Sequence, residues 1–158
     1  MAIKRLAIYD MDGTIVDSTH RYKTKMENGV EKIDLQFWRD NESKAYDDSL
    51  LPLAEQYKAD LLDNECYVII ATARIIRDED MRFIQDKLGM PDYIISRKGD
   101  LDNRSGGELK VKGLQRFFNL KNFKNAVAVF YEDNTAYLKK VCDTFKITGV
   151  YIPSNQGH

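Results

Sequence analysis

The stretch KRLAIYDMDGTIVDS, residues 4–18, sets an apolar run, Leu6 to Tyr9, directly against three acidic side chains, Asp10, Asp12 and Asp17. Carboxylates crowded at the end of a buried strand repel one another, and unpaired charge there costs several kcal/mol unless a cation or hydrogen bonds offset it. The stretch therefore predicts a core strand that ends in a site, and the rest of the chain can be searched for the groups that complete it.

With 158 residues the chain has the length of one domain, expected to run over 1–158. Twenty-five acidic residues against twenty-four basic ones give no bulk attraction to polyanions or membranes, so any anion recognition must be local. No apolar run approaches the roughly 20 residues of a membrane helix, and the start MAIKRLAIYD lacks the pattern of a secretory signal. A soluble, cytoplasmic protein is expected. Cys66 and Cys142 have neither CxxC spacing nor a nearby histidine pair, which argues for reduced, packed thiols rather than zinc.

Short apolar runs alternate with helical patterns, the signature of a parallel sheet covered by helices. Strands are expected at Leu6 to Tyr9, Tyr67 to Ala71, Tyr93 to Ser96, Ala126 to Tyr131 and Ile147 to Ile152. Leu50, Leu53, Ala54, Tyr57 and Leu61 follow one helical face, with Pro52 in the first turn. A second helix should start near Asp78 and end at Gly89 and Pro91, and a last one carries Leu138, Val141, Cys142 and Phe145 behind a cap at Asn134 or Thr135. These elements describe a three-layer α/β/α sandwich around a five-stranded parallel sheet. Residues 18–49 stand apart as a small polar insert after the first strand. Residues 97–116, with six basic and three acidic residues, contain a Gly106-Gly107 pair expected to be flexible.

Open parallel sheets bind ligands beyond the carboxyl ends of their strands. Those positions hold Asp10 and Asp12, then Thr72 and Arg74, then Glu132 and Asp133, while Lys112 is expected to open the helical segment before the fourth strand, with Lys110 and Lys98 as substitutes. Carboxylates, a hydroxyl and cations converging on one crevice suit a magnesium ion and a phosphate. Magnesium prefers oxygen ligands and keeps several waters, so few protein groups suffice; Asp10 and Asp133 are the expected carboxylates, with Glu132 bridged through water or behind them.

The order and placement of these motifs resemble those of the haloacid dehalogenase (HAD) superfamily of phosphohydrolases, whose DxDGT signature is matched by Asp10, Met11, Asp12, Gly13 and Thr14. The resemblance implies a HAD-like Rossmannoid fold with a minimal cap and Mg2+ as cofactor. By it, Asp10 attacks phosphorus to form an aspartyl phosphate, and Asp12 protonates the leaving alcohol and then activates water. Met11 contributes only backbone, the Asp12 carbonyl completes the metal shell, Gly13 and Thr14 border the phosphate, Thr72 bonds a phosphate oxygen, and Lys112 holds Asp10 to the phosphate.

Within the superfamily the chain is most similar, diffusely from about residue 5 to 152, to the phosphatase half of phage polynucleotide kinase. That resemblance implies removal of 3′-phosphates from nucleic acid ends. ATARIIRDED, residues 71–80, matches the relatives' turn with Ala73 in place of a glycine, and implies that Arg74 contacts a phosphate. Arg97, Arg104 and Lys98 would track a nucleic acid backbone, and Tyr22, Phe37 and Trp38 would stack bases or form the insert's own core. Two alternatives stay open: a nucleoside monophosphate phosphatase whose insert closes over a base, and a non-catalytic subunit that binds phosphorylated ends. No GxxxxGK[ST] motif occurs, so a kinase or ligase would be a separate chain.

Overall fold

In the computed structural model, which describes residues 3–154, strand β1 (Arg5–Tyr9) is the middle of a five-stranded parallel sheet. Its neighbours are β6 (Cys66–Ile75) and β8 (Val127–Glu132), with β7 (Tyr93–Arg97) and β9 (Thr148–Tyr151) at the edges. All four pairings are parallel, as the alternation of strands and helices predicts. The ends of the expected domain, residues 1–2 and 155–158, lie outside the described residues.

Two apolar layers cover the sheet. One holds Tyr9, Val68 and Ile70 with Tyr57, Phe83 and Leu88 from α2 (Ala54–Leu62), α3 (Asp78–Phe83) and the wide helical turn that extends α3 to Leu88. The other holds Leu6, Ile8, Ile69 and Phe130 with Leu109, Leu114, Phe117 and Val141 from α4 (Gly106–Phe118) and α5 (Thr135–Phe145). Successive strand residues point to opposite faces, so Ile8 and Tyr9, or Ile69 and Ile70, serve different layers.

Register brings the site together. Tyr9 pairs with Ile70 on one side and with Tyr131 on the other, so Asp10, Thr72, Glu132 and Asp133 all emerge at one end of the sheet. Between β1 and α2 the chain forms β2 (Val16–Asp17), a hairpin of β3 (Thr24–Glu27) and β4 (Val30–Ile33), the short helix α1 (Leu35–Asp40) and β5 (Ser49–Leu50). The hairpin turns on Asn28 and Gly29, both at positive φ, the conformation an Asn-Gly turn favours.

Three expectations need correction. Leu50 belongs to β5, paired with Val16, and the helix begins only at Ala54, after Pro52. The Gly106-Gly107 pair is no flexible loop: both glycines are buried in the first turn of α4, where a Cβ would fall 2.5 Å from the Tyr137 ring and 2.9 Å from the Lys140 side chain. Ser105 caps that turn by accepting the Glu108 N–H, the sequence pattern Ser-x-x-Glu of a helix start. Finally, Met11 lends more than backbone, because its side chain is fully buried in the core.

Candidate functional site

The loop after β1 is wound tightly on one carbonyl. The Met11 oxygen accepts the N–H groups of Thr14, Ile15 and Val16, and Gly13 N–H donates to the Val16 carbonyl. Gly13 has φ +81°, and a Cβ there would lie 2.1 Å from Asp133 Oδ2, so only glycine lets the two loops approach. The turn aims Asp10 into the crevice, where the Thr14 hydroxyl donates to Oδ2 at 2.9 Å.

The lysine on Asp10 is Lys110. Its Nζ donates to Asp10 Oδ1 at 2.9 Å and to Glu132 Oε1 at 2.5 Å, and the side chain is fully buried. Lys112, expected in this role, is exposed. Two residues along a helix is a rotation of about 200°, so Lys112 points away from the face that carries Lys110, Leu114 and Phe117. The expected helix start was misplaced, and with it the phase. Burial opposes charge on Lys110, but Asp10 and Glu132 outweigh it and raise its pKa above the ordinary lysine value.

Asp10, Glu132 and Asp133 each offer a carboxylate oxygen, and the three oxygens lie within 4.8 Å of one another. Burial, reinforced by the charge of Asp10, raises the Glu132 carboxyl well above its ordinary value and pushes Asp133 up to about 7. Three buried carboxylates face a single ammonium here, and a divalent cation fits that deficit. Glu132 is already engaged: Oε1 takes Lys110, and Oε2 takes the N–H groups of Asp133 at 3.0 Å and Asn134 at 3.3 Å. Asp133 Oδ2 accepts the Ser154 hydroxyl at 2.7 Å.

Asp12 turns to the other side of the crevice, against Arg74. Nε of Arg74 donates to Asp12 Oδ2 at 3.1 Å and Nη2 to Oδ1, while Nη1 bonds Asp80 and Nη2 also reaches Asp48 at 3.3 Å. The Ser18 hydroxyl donates to Asp12 Oδ1 at 2.8 Å. Burial alone would raise the Asp12 carboxyl, but Arg74, Arg21 and Ser18 together hold it well below the usual carboxylate range. Asp48 in turn takes a bidentate pair from fully buried Arg21, at 2.8 and 3.0 Å, and His20 Nε2 lies 2.7 Å from its Oδ1. The Arg21 guanidinium lies over Trp38, 4.2 Å from the ring centre.

Thr72 is buried at the rim, its hydroxyl oxygen accepting the Arg74 N–H. A cavity of about 500 Å³ is lined by Asp10, Thr72, Ala73 and Arg74 together with Ile33, Leu35 and Trp38 of the insert and Asn103 and Arg104. Two of the arginines of the basic segment are engaged within it, whereas Lys98 is exposed. Arg104 pairs with Asp102 through two hydrogen bonds, and Arg97 donates to the carbonyls of Ala73, Asp102 and Arg104. Of the expected aromatics Trp38 reaches the cavity; Phe37 lies beneath Lys23.

Sequence reasoning missed the roles of Arg21, Asp48 and Asp80 around Arg74. Asp80 carried a signal, read as helix-dipole compensation; Arg21 and Asp48 lie 27 residues apart in the insert, with no local pattern to join them. For Lys110 the signal was a lysine in the apolar stripe of a helix.

A parallel sheet of order β7-β6-β1-β8-β9 with an acidic cluster at its strand ends is the fold of the haloacid dehalogenase-like hydrolases. A family model described as bacteriophage T5 5′-deoxynucleotidase matches residues 1–148, and the chain belongs to that family. Among solved structures, a chain of the Pnkp1/Rnl/Hen1 RNA repair complex matches with a TM-score of 0.68 and 20% identity, covering 96% of this chain. This chain spans 43% of that one. A HAD-superfamily hydrolase, subfamily IA, from Geobacter sulfurreducens matches with a TM-score of 0.56 and 12% identity, covering 95% of this chain and 87% of the other. No curated protein matches. Among the described residues no helix is long and apolar enough to cross a membrane.

Proposed function

We propose that the protein is a magnesium-dependent phosphomonoesterase that removes phosphate from free nucleoside 5′-monophosphates through an aspartyl phosphate on Asp10. The observation that carries this reading is the cavity of about 500 Å³ whose lining joins Asp10 to Trp38 and Ile33 of the insert. Its volume lies in the range of small-molecule sites, and its wall supplies an aromatic face beside polar groups, which suits a base and a sugar. The family match points the same way.

Asp10 and Asp133 would hold the cation, with the Asp12 carbonyl, and Glu132 stands behind them on Lys110. When bound, magnesium neutralises the carboxylates and the phosphate, so that an anionic nucleophile can approach an anionic ester. Two like charges in contact repel by about 4 kcal/mol at an effective dielectric of 20. Lys110 holds one oxygen of Asp10 so that the carboxylate is directed at phosphorus, and Thr14 fixes its second oxygen. The Thr72 hydroxyl, whose oxygen takes the Arg74 N–H, keeps its own proton for a phosphate oxygen. Asp12 gives a proton to the leaving oxygen and later takes one from water; the incoming phosphate, as a second anion, raises its proton affinity from the low value set by Arg74.

The sequence-based expectation of 3′-phosphate removal from nucleic acid ends needs a surface that follows a phosphate backbone. Of Arg97, Arg104 and Lys98, the residues expected to provide it, the two arginines are hydrogen-bonded within their own segment, which leaves Lys98 as the exposed charge of the three. A free nucleotide therefore accords better with the geometry, and a separate kinase or ligase chain belongs only to the end-healing reading. A purely end-binding subunit would have no use for the Lys110-Asp10-Thr14 array.

Phosphate release with magnesium from deoxynucleoside 5′- and 3′-monophosphates and from 5′- and 3′-phosphorylated oligonucleotides tests the proposal, with Asp10→Asn as blank. Preferred release from free 5′-monophosphates is expected. Preference for the 3′-phosphorylated oligonucleotide would replace this reading by end healing.

A further inference from the structure

Arg74 was expected to bind a phosphate, yet every nitrogen of its guanidinium is bonded to a carboxylate: Nε and Nη2 to Asp12, Nη1 to Asp80, Nη2 also to Asp48. Asp48 and Asp80 are buried, 2% and 3% exposed, and neither lines the cavity. They come from different places, Asp48 from the end of the insert and Asp80 from the first turn of α3. Each is anchored beyond Arg74, Asp48 by Arg21 and Asp80 by the Arg77 N–H at 2.9 Å.

An arginine has four side-chain torsions and by itself orients nothing. Pinned at its far corners by two buried carboxylates, its planar fork presents a fixed pair of donors to Asp12. We propose that Asp48 and Asp80 are positioning residues for the reaction: through Arg74 they set the plane of the Asp12 carboxyl, and so the line along which the leaving-group proton is delivered. The inference rests on the reading above in taking Asp12 as the acid. In the step concerned, an Asp10 oxygen forms a bond to phosphorus, the bond from phosphorus to the leaving oxygen breaks, and the electron pair left on that oxygen takes the proton of Asp12. Water then attacks phosphorus and gives a proton to Asp12 as the bond from phosphorus to the Asp10 oxygen breaks, which releases inorganic phosphate and restores both residues.

General-acid assistance matters only to a leaving group that needs a proton. 4-Nitrophenolate leaves without one, whereas the much less acidic phenol does not, and the two aryl phosphates have nearly the same shape. The test measures kcat/KM, which does not include the later hydrolysis of the aspartyl phosphate, for 4-nitrophenyl phosphate and phenyl phosphate, with magnesium, in wild type, Asp48→Asn, Asp80→Asn and, as reference, Asp12→Asn. The proposal expects kcat/KM on phenyl phosphate to fall by at least about 10-fold in both clamp variants, set against the 100- to 10,000-fold that a general acid typically supplies. For 4-nitrophenyl phosphate kcat/KM should change by no more than about 3-fold. Equal losses on the two esters, or none on either, while Asp12→Asn shows the split, would overturn it. Should the Asn variants not fold by circular dichroism, Arg74→Lys keeps the buried positive charge but cannot fork, and must show the same split or the proposal fails.

The nucleotide reading is separable, because neither ester carries a nucleoside. A wild type active on aryl esters but inert toward nucleoside monophosphates overturns that reading alone. An Asp12→Asn enzyme without the split removes the acid role, and the clamp with it.

Discussion

Lys110 Nζ bridges Asp10 Oδ1 and Glu132 Oε1, at 2.9 and 2.5 Å, from a helix that starts only four residues earlier in sequence. One ammonium thus ties the carboxylate after β1 to the one that ends β8. Lys110→Ala should reduce phosphatase turnover by at least about 100-fold, the loss typical when a preorganised charge partner is removed. Lys112→Ala should leave it within about 2-fold. Parallel steady-state assays of the two variants decide the assignment, and the reverse pattern would return the role to Lys112.

Asp10→Asn should abolish turnover and leave the fold intact. The amide is nearly isosteric, Lys110 keeps Glu132 as partner, and one charge disappears from a site with three carboxylates. In chelator, melting should occur at or above the wild-type temperature; retained activity in this variant would remove Asp10 as nucleophile.

Magnesium should stabilise the protein, since the ion binds the folded acidic cluster and has no equivalent site in the unfolded chain. At 100 times the dissociation constant the gain is about 2.7 kcal/mol. Thermal melts with magnesium and with chelator should separate for wild type and converge for Asp133→Asn. Convergence in wild type itself would contradict the metal assignment.

Gly13→Ala carries two penalties. A non-glycine residue at φ +81° costs about 1–2 kcal/mol, and the new methyl collides with Asp133 Oδ2 and Ser154 Oγ. Chemical denaturation should register a loss above that backbone cost, together with weakened magnesium stabilisation.

Cys66 should resist alkylation near neutral pH, because burial pushes its thiol up to about 11. The unfolded thiol ionises near 8.5, so the unfolded state sheds its proton first. The contribution to stability is therefore constant below about pH 8 and is lost as pH rises from there toward 11. Rapid labelling of the native protein at pH 7.5 would contradict this.

How much of the site was legible depended on whether its parts announce themselves locally. Asp10, Asp12, Thr72, Glu132 and Asp133 each lie within three residues of the end of an apolar run, and a residue so close to the run that fills a strand of a parallel sheet has its position set by that strand. Lys110 was displaced by two residues because the Gly106-Gly107 pair suggested a loop, although Ser105 and Glu108 marked a helix start. Arg74 was found but given a phosphate as partner, since nothing near it in sequence indicated that Asp12, 62 residues away, and Asp48 already occupy its donors.

Hydrophobic periodicity and the residues next to each strand end determined, by themselves, the parallel sheet, its five strands and the carboxylates at its carboxyl end, because both are consequences of burial repeated every two or 3.6 residues. Only the tertiary structure decided which cation meets which anion. The phase of α4 chose Lys110 over Lys112, and the path of the insert brought Arg21 and Asp48 to Arg74. Such pairings depend on distances between elements far apart in the chain, and a buried charge takes whichever partner the packing brings within reach.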